Sequence, residues 1–338
     1  MSKRAVLDVV DLTTQLSTSA GIANAVDHLN FRIGEEETLA LVGESGCGKS
    51  MTALSIMRLE PAPAARVTGG SIMLEGRDIL QLSAHEMRRM RGKDIAMIFQ
   101  EPMTSLNPVF TIGRQVTEGL REHEGLSRKA AESRAIELID LVRLPDPRRI
   151  MESYPHRLSG GMRQRVMIAM AIACRPKLLI ADEPTTALDV TVQAQILEVL
   201  RGLQREFKMA LLLITHDFGV VAEMADHVAV MYAGRMVESA PVRQLFHAPR
   251  HPYTQGLLAA TPRIRTGTGG KRARLNEIVG AVPSLFRPLP GCSFQPRCPE
   301  AIAECGLRAP ALTASGDGRR VACLVAAGQA TAGGEANE

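Results

Sequence analysis

The stretch ETLALVGESGCGKS, residues 37–50, joins a short apolar run to a glycine-rich turn that ends in Lys49 and Ser50. The apolar run predicts a buried strand, and the following residues, KSMTALSIMRL at 49–59, repeat apolar side chains with helical spacing. Residues 43–50 match the pattern G-x-x-x-x-G-K-[ST] in full. Because this pattern requires a strand before it and a helix after it, the stretch predicts a phosphate-binding loop (P-loop) in an α/β fold.

The residue types of this loop suit the phosphates of a nucleotide. Glycines let the backbone wrap around a phosphate with N–H groups pointing inward, and the helix N-terminus adds partial positive charge. Lys49 can reach the β- and γ-phosphates, and the Ser50 hydroxyl can bind Mg²⁺. Cys47 stands at a variable position, where a small filler residue is favoured over a redox group. The predicted nucleotide-binding residues are Gly43, Glu44, Ser45, Gly46, Cys47, Gly48, Lys49, Ser50 and Met51.

Two further apolar runs end in residues that a phosphate site can use. KLLIADEP, residues 177–184, predicts a buried strand that ends in Asp182 and Glu183. Asp182 can hold Mg²⁺ through water, and Glu183 can polarise the attacking water as a general base. MALLLITHD, residues 209–217, places His216 at the end of a third strand, at the edge where α/β sheets bind ligands. In isolation, a helix-capping acid pair and a structural histidine would be the alternatives.

Composition narrows the class of protein. The chain of 338 residues is long enough for one large domain with an extension. With 8 Phe, 3 Tyr and no Trp, a lectin-like face is disfavoured, and a net charge of +4 does not suggest nucleic-acid binding. The start, MSKRAVLDVV, has no secretory signal, and the longest apolar runs, 166–174 and 210–215, fall short of the roughly 18 residues of a membrane span. We therefore expect a cytosolic chain.

The order of predicted elements indicates a mostly parallel α/β sheet. Strands are predicted at 5–12, 26–33 and 95–100, a hairpin at 72–79, and helices within 111–143 and at 191–207. Residues 61–71 are predicted to form a loop. From residue 261 the composition changes: 261–274 is basic and glycine-rich, as in a linker, and 326–338 is small and polar, as in a disordered tail.

A second glycine motif identifies a family. LSGGMRQR at 158–165 precedes a helical stretch and then LLIADEPTTALD at 178–189. Together with the P-loop, these motifs resemble the nucleotide-binding subunits of ABC transporters over about residues 5–260. The resemblance implies an ABC-type ATPase domain at 1–260, with a RecA-like mostly parallel sheet, an antiparallel β subdomain and a helical subdomain at about 101–165.

The resemblance also assigns roles to residues. It implies that Gln100 approaches Mg²⁺ and the attacking water and signals to the membrane subunits, and that Asp189 contacts the partner ATPase. The signature loop, Ser159, Gly160, Gly161 and Met162, would close over the γ-phosphate of ATP on the opposite subunit. Its glycines precede a helix, so they form a second anion-binding N-terminus, and hydrolysis would release this clamp. The implied catalytic residues are Glu183, His216 and Gln100, and the implied Mg²⁺ ligands are Ser50, Gln100 and Asp182.

Two positions depart from the family pattern. Met162 replaces the usual glutamine of the signature loop, so a side-chain contact is lost while the backbone N–H groups remain. The aromatic residue that usually stacks on adenine is missing from 12–19, where Leu16 lies nearest its place. The sequence alone leaves the effect of both changes open.

Three stretches narrow the family. QEPMTSLNPVFTIGRQVTE (100–118), HPYTQGLLAATPR (251–263) and VPSLFRPLPGCSFQPRCPEAIAEC (282–305) resemble the ATPase subunits of oligopeptide/dipeptide importers, a group that includes some nickel and glutathione importers. This implies ATP-driven uptake by a peripheral protein on the cytoplasmic face of the cell membrane. The implied partners are two transmembrane permease subunits, a second and distinct ATPase subunit, and indirectly an external solute-binding protein, with no nucleic acid. The sequence does not specify the solute.

Four cysteines fall in a C-terminal extension, residues 261–325: Cys292, Cys298, Cys305 and Cys323. Four thiolates suit a [4Fe–4S] cluster, whereas zinc ribbons usually pair cysteines as C-x2-4-C, and no pair here is that close. The residues alone leave cluster and zinc equal, with free thiols third. Because some importers of this group carry such a cluster, the resemblance favours the iron–sulfur site, structural first and redox-sensing second, in an extension too small for a good core.

The competing function is a soluble ABC ATPase that acts on nucleic acid or ribosomes. Such proteins generally carry two ATPase cassettes or a long coiled-coil insertion, and this chain has one P-loop and no long heptad array. A metal-binding regulator with a degenerate ATPase is disfavoured because Lys49, Asp182, Glu183 and His216 are all intact.

Overall fold

A computed structural model of the chain describes residues 4–101, 105–186, 188–261, 277–287, 289–315 and 317–328. Its strands are β1 (Ala5–Thr18), β2 (Gly21–Gly34), β3 (Thr38–Val42), β4 (Ala65–Leu74), β5 (Arg77–Asp78), β6 (Ile95–Ile98), β7 (Leu178–Asp182), β8 (Ala210–Ile214), β9 (His227–Tyr232), β10 (Arg235–Pro241), β11 (Thr313–Ala314) and β12 (Arg320–Val321). Its helices are α1 (Lys49–Met57), α2 (Ala84–Met90), α3 (Ile112–Glu124), α4 (Arg128–Leu141), α5 (Pro147–Glu152), α6 (Gly160–Ile172), α7 (Val190–Phe207), α8 (Phe218–Met224), α9 (Val242–His247) and α10 (Pro252–Ala260).

The central sheet carries the site. Its strands run in the order β11-β12-β10-β9-β3-β8-β7-β6, and the five from β9 to β6 are parallel. Every residue of β3, β7 and β8 is buried, because alternate side chains enter different cores. Leu178 and Ile180 pack in one hydrophobic cluster and Leu179 packs in another. The sheet is therefore covered on both faces, as the continuous apolar runs predict.

The second sheet is antiparallel, in the order β2-β1-β4-β5. It shows where the predicted loop at 61–71 is wrong, because β4 begins at Ala65 and pairs with β1. The glycines that suggested a loop, Gly69 and Gly70, lie opposite a bulge in β1. Gly70 has φ +90°, and a Cβ there would meet the backbone carbonyl of Asp11. Tertiary pairing thus places glycine inside a strand at a point of close backbone approach.

The helical part contains α3, α4 and α5 and leads into α6. Ser127 and Thr111 begin α4 and α3 by accepting hydrogen bonds from backbone N–H groups in the first turn. The apolar faces of these helices meet in one core, which includes Val116, Leu120 and Leu138. This is the helical cluster that the resemblance implies.

The C-terminal residues pack on the ATPase sheet. Strand β12 pairs with β10, with Glu238 opposite Val321. Phe294, which is 2% exposed, packs with Tyr232 and Tyr253 at ring-centroid distances of 5.2 and 5.3 Å. The extension therefore shares a core with the ATPase sheet. The predicted linker at 261–274, apart from its first residue, and residues 329–338 of the predicted tail lie outside the described residues. None of the helices in the described ranges is long and apolar enough to cross a membrane.

Candidate functional site

The P-loop connects β3 to α1 and depends on glycine at two points. Gly43 and Gly48 have φ of +154° and +107°, and a Cβ on either would meet a backbone carbonyl oxygen, that of Met231 or that of Ala25. No larger residue fits there without moving the backbone. The two close contacts fix the path of the loop between its strand and its helix, as the sequence pattern predicts.

Lys49 lies at the centre of the loop. Its side chain is almost fully buried, and Nζ donates hydrogen bonds to the carbonyl oxygens of Gly43 at 2.8 Å and Glu44 at 3.0 Å. The ammonium is thus held over the turn where an incoming phosphate would bind. Cys47 lies nearby with its Sγ 3.8 Å from Nζ. Burial raises the pKa of Cys47 more than the Lys49 charge lowers it, so Cys47 is a neutral packing residue.

Asp182 ends β7 and lies against Ser50 of the P-loop. The residue is 4% exposed, and its Oδ1 has no hydrogen-bond partner among the described residues. Burial raises the pKa of Asp182, and a hydrogen bond from Ser50 offsets part of this effect. Mg²⁺ prefers oxygen ligands, so an unpaired buried carboxylate oxygen beside a hydroxyl fits the predicted ion.

Glu183 is the centre of a hydrogen-bond network. Its Oε2 accepts from Gln100 Nε2 at 3.0 Å and from Thr186 Oγ1 at 2.8 Å, and its Oε1 lies 3.1 Å from His216 Nδ1. Burial by itself would raise the pKa of Glu183, but hydrogen bonds from Thr186 and His216 outweigh it and lower the pKa. The carboxylate is therefore ionised at neutral pH and can accept a proton from water.

The structure brings the three predicted catalytic residues, Gln100, Glu183 and His216, into direct contact, and it places Ser50 against Asp182. Sequence reasoning missed Thr186. The signal was present, because a hydroxyl residue three positions after Glu183 can fold back on it in the turn that follows β7. Glu183 itself has φ +46°, a backbone conformation that is uncommon for residues other than glycine and that clusters at functional sites.

Thr186→Val should reduce ATP turnover about tenfold or more, because a hydrogen bond to a charged group contributes about 1.5 to 3 kcal/mol. The substitution removes the Oγ1 donor, so the pKa of Glu183 should rise and its orientation should loosen. Turnover by the full assembly measures the effect, with Thr261→Val as the control because that hydroxyl donates to the Leu257 carbonyl at the end of α10. Equal turnover in the two variants would contradict the role of Thr186.

The signature loop forms the start of α6. Ser159 caps this helix by accepting from Met162 N at 3.3 Å. A Cβ on Gly161 would approach Val192 of α7, and Val192 N in turn donates to Asp189 Oδ1 at 3.0 Å. The structure thus packs the signature helix against the start of α7, which Asp189 caps.

Leu16 lies half-buried near the end of β1, on a strand that packs on the P-loop helix. Thr14 of the same strand is joined to Ser55 of α1 through their hydroxyl oxygens, 2.8 Å apart. The residue that stands nearest the expected adenine-stacking position is therefore aliphatic and lies two positions after a residue that contacts α1.

The four cysteines of the extension meet at one small cavity, which they line together with Phe294 and Pro310. Its volume is about 10 Å³, roughly the room of one water molecule. Burial raises the pKa of Cys292 and raises that of Cys298 to about 11. Throughout the described ranges, no group of three or more His, Cys, Asp or Glu is arranged to hold a metal ion. The structure of the described residues therefore gives no support to the iron–sulfur site or to zinc.

Comparison with protein families finds two matches. Residues 26–186 match a family described as ABC transporter, and residues 237–305 match the C-terminal region of oligopeptide/dipeptide transporters. A peptide ABC transporter ATP-binding protein of Sinorhizobium fredii is 52% identical over 94% of this chain and 94% of its own length. A peptide import ATP-binding protein of Brucella abortus has the same identity and coverage.

Solved structures agree in fold. A dimeric ATP-binding cassette in a post-hydrolysis state, bound to ADP and phosphate, superposes with a TM-score of 0.63 and 27% identity, over 70% of this chain and 99% of the other. An ABC transporter component of Clostridium perfringens superposes with a TM-score of 0.61 and 25% identity, over 73% of this chain and 92% of the other.

Proposed function

The chain belongs to the ABC transporter family of ATP-binding proteins, and we propose that it is the ATP-hydrolysing subunit of an importer for dipeptides, oligopeptides or a related solute. The observation that carries the proposal is the network in which Gln100, Thr186 and His216 orient the Glu183 carboxylate. The network follows directly on Asp182, whose carboxylate bonds Ser50 at the end of the P-loop. The peptide-import names of the similar proteins support the choice of solute class.

In this proposal the P-loop N–H groups and Lys49 bind the phosphates of ATP. Ser50, Asp182 and Gln100 are the residues that would hold Mg²⁺, which when bound neutralises charge on the β- and γ-phosphate oxygens. Glu183 orients the attacking water and takes its proton. His216, 3.1 Å from Glu183, holds the carboxylate from the other side and can reach the γ-phosphate.

We place the signature loop of Ser159, Gly160, Gly161 and Met162 on the ATP of a second ATPase subunit. The capped start of α6 supplies N–H groups for an anion, and Asp189 at the neighbouring start of α7 would contact that subunit. The partner in this proposal is a distinct ATPase, so the working unit is a heterodimer. The dimeric cassette that this fold resembles supports the pairing of two ATPase subunits, and the choice of a distinct partner rests on the family resemblance.

The surface beside Gln100 suits docking of two membrane-spanning permease subunits. Phe99, which precedes Gln100, and Val109 are 38% and 69% exposed, and we take them as the apolar contacts of this docking surface. A cleft between α2 and α3 carries both signs of charge, because arginines such as Arg88 and Arg121 and glutamates such as Glu118 line it together. The chain would then act at the cytoplasmic face of the membrane, with an external solute-binding protein delivering the solute.

Purification from detergent-solubilised membranes through a tag on this chain tests the assembly. We expect two membrane-spanning subunits and a second ATPase to come with it, and the Val109→Asp variant to lose the membrane subunits while retaining bound nucleotide. Recovery of the chain with ribosomes or nucleic acid, and without membrane-spanning proteins, would instead support a soluble ABC ATPase.

We retain the [4Fe–4S] cluster at Cys292, Cys298, Cys305 and Cys323 as a prediction, supported only by the number of thiols and by the resemblance. Binding would require the small cavity between them to open. Iron and acid-labile sulfide should be present after anaerobic purification and lost in Cys298→Ser, with Cys174→Ser as control. Zinc in place of iron would support the alternative site. If the protein contains neither metal, the four cysteines are free thiols that pack the extension.

A further inference from the structure

One ion pair joins the C-terminal extension to the P-loop. Arg297 lies in a short 3-10 turn, Gln295–Arg297, and Glu44 is the second residue of the P-loop. The two nitrogens of the guanidinium fork bond the two carboxylate oxygens, Nη1 to Oε2 at 2.7 Å and Nη2 to Oε1 at 3.0 Å. This bidentate geometry is the strongest form of an Arg–carboxylate contact.

The Arg297 side chain is fixed independently of Glu44. It is only 4% exposed, and it also donates to the Tyr232 hydroxyl at 3.3 Å and to the carbonyl oxygens of Ile278 and Val279 at 3.1 and 3.2 Å. Arg297 is therefore held in place before Glu44 binds to it, so little rotamer entropy is lost when the pair forms.

Glu44 is fixed from the same side of the molecule. Its backbone N–H donates to the Tyr253 hydroxyl at 2.9 Å, and its carbonyl accepts from Lys49 Nζ at 3.0 Å. The Glu44 carboxylate thus belongs to the turn whose backbone must surround a triphosphate. An unpaired negative charge at this point would repel ATP and would compete for Lys49.

We propose that Arg297 is a positioning residue for ATP binding, which neutralises the Glu44 carboxylate and holds it away from the phosphate pocket. The C-terminal extension is then part of the nucleotide site, although it contributes no atom that touches the nucleotide. The inference rests on the proposed ATP site and adds a requirement for a residue that lies 253 positions from Glu44.

ATP binding to the purified full-length chain tests this inference. In Arg297→Gln, Glu44 keeps its charge and loses its partner, so the dissociation constant for ATP should rise about tenfold, as expected for a like charge a few ångströms from the phosphates in a partly screened site. The rise should shrink at high salt. In the Arg297→Gln/Glu44→Gln double variant the charge is gone, and affinity should return toward that of the wild type.

Arg308→Gln is the matched control, because Arg308 belongs to the same extension, is 65% exposed and pairs only with Glu304 in the described ion pairs. Arg308→Gln should bind ATP as the wild type does. The proposal is overturned if Arg297→Gln binds ATP normally, or if its loss of affinity is independent of salt and persists in the double variant, since that pattern marks a purely structural defect. A wild-type chain that binds no ATP would instead overturn the proposed function.

Discussion

Glu183→Gln should lower ATP turnover at least about a hundredfold, the lower range for loss of a general base, while ATP remains bound. Glutamine is nearly isosteric with glutamate, and its single carbonyl oxygen can still accept the hydrogen bonds that Gln100 and Thr186 now donate to Oε2. Glutamine cannot accept a proton from the attacking water, so ATP should occupy the site without being hydrolysed. Burial would raise the pKa of Glu183, but its hydrogen bonds lower it below the usual value. The wild-type carboxylate is therefore ionised at neutral pH, and its role as a base depends on the position in which its neighbours hold it.

The measurement is phosphate release by the assembly at saturating ATP, with nucleotide occupancy determined on the same sample. Glu206→Gln is the control, since Glu206 is an exposed residue of α7. Turnover within twofold of the wild type in Glu183→Gln would show that another group takes the proton. Loss of bound ATP along with turnover would show that Glu183 supports binding instead of the chemical step.

Lys49→Ala should weaken ATP binding about a hundredfold, equivalent to about 2.8 kcal/mol. The substitution removes the buried ammonium that now bonds the Gly43 and Glu44 carbonyls. No other cation of the P-loop, residues 43–50, can replace it. The effect should appear in the dissociation constant for ATP, and turnover at ordinary ATP concentrations should fall with it.

The matched control for this variant is Lys129→Ala, at an exposed position of α4. The two active-site variants should differ in kind, because Lys49→Ala empties the site whereas Glu183→Gln leaves it filled. If Lys49→Ala binds ATP as tightly as Lys129→Ala, the placement of the phosphates at the P-loop is wrong. Thermal unfolding of each variant shows whether a loss of binding is merely a loss of fold.

Most of the site was predictable from sequence because each part has a local signal. Buried parallel strands read as continuous apolar runs, and the residues that follow them gather at one sheet edge. This logic predicts the positions of Lys49, Asp182, Glu183 and His216 from the sequence alone. The strand β4 is not predicted, because its glycines suggest a loop. They are needed where β4 passes close to a bulge in β1, and the local sequence does not show this contact.

Contacts between distant segments were not predictable. Nothing in the local sequence pairs Arg297 with Glu44, since the contact depends on how the extension packs against Tyr232 and Tyr253. The cysteines show a related limit. Their number indicated a metal site, and the fold does gather them at one cavity, but spacing along the chain fixes neither the room between thiols nor their ionisation.

The most direct test of the whole account is uptake of a labelled peptide mixture into vesicles that contain the complete assembly, with the external binding protein on the outside and MgATP inside. The account predicts peptide accumulation that requires ATP and falls sharply when this chain carries Glu183→Gln. Vesicles that hydrolyse ATP but take up no peptide, or that take up peptide equally well with Glu183→Gln, would contradict it.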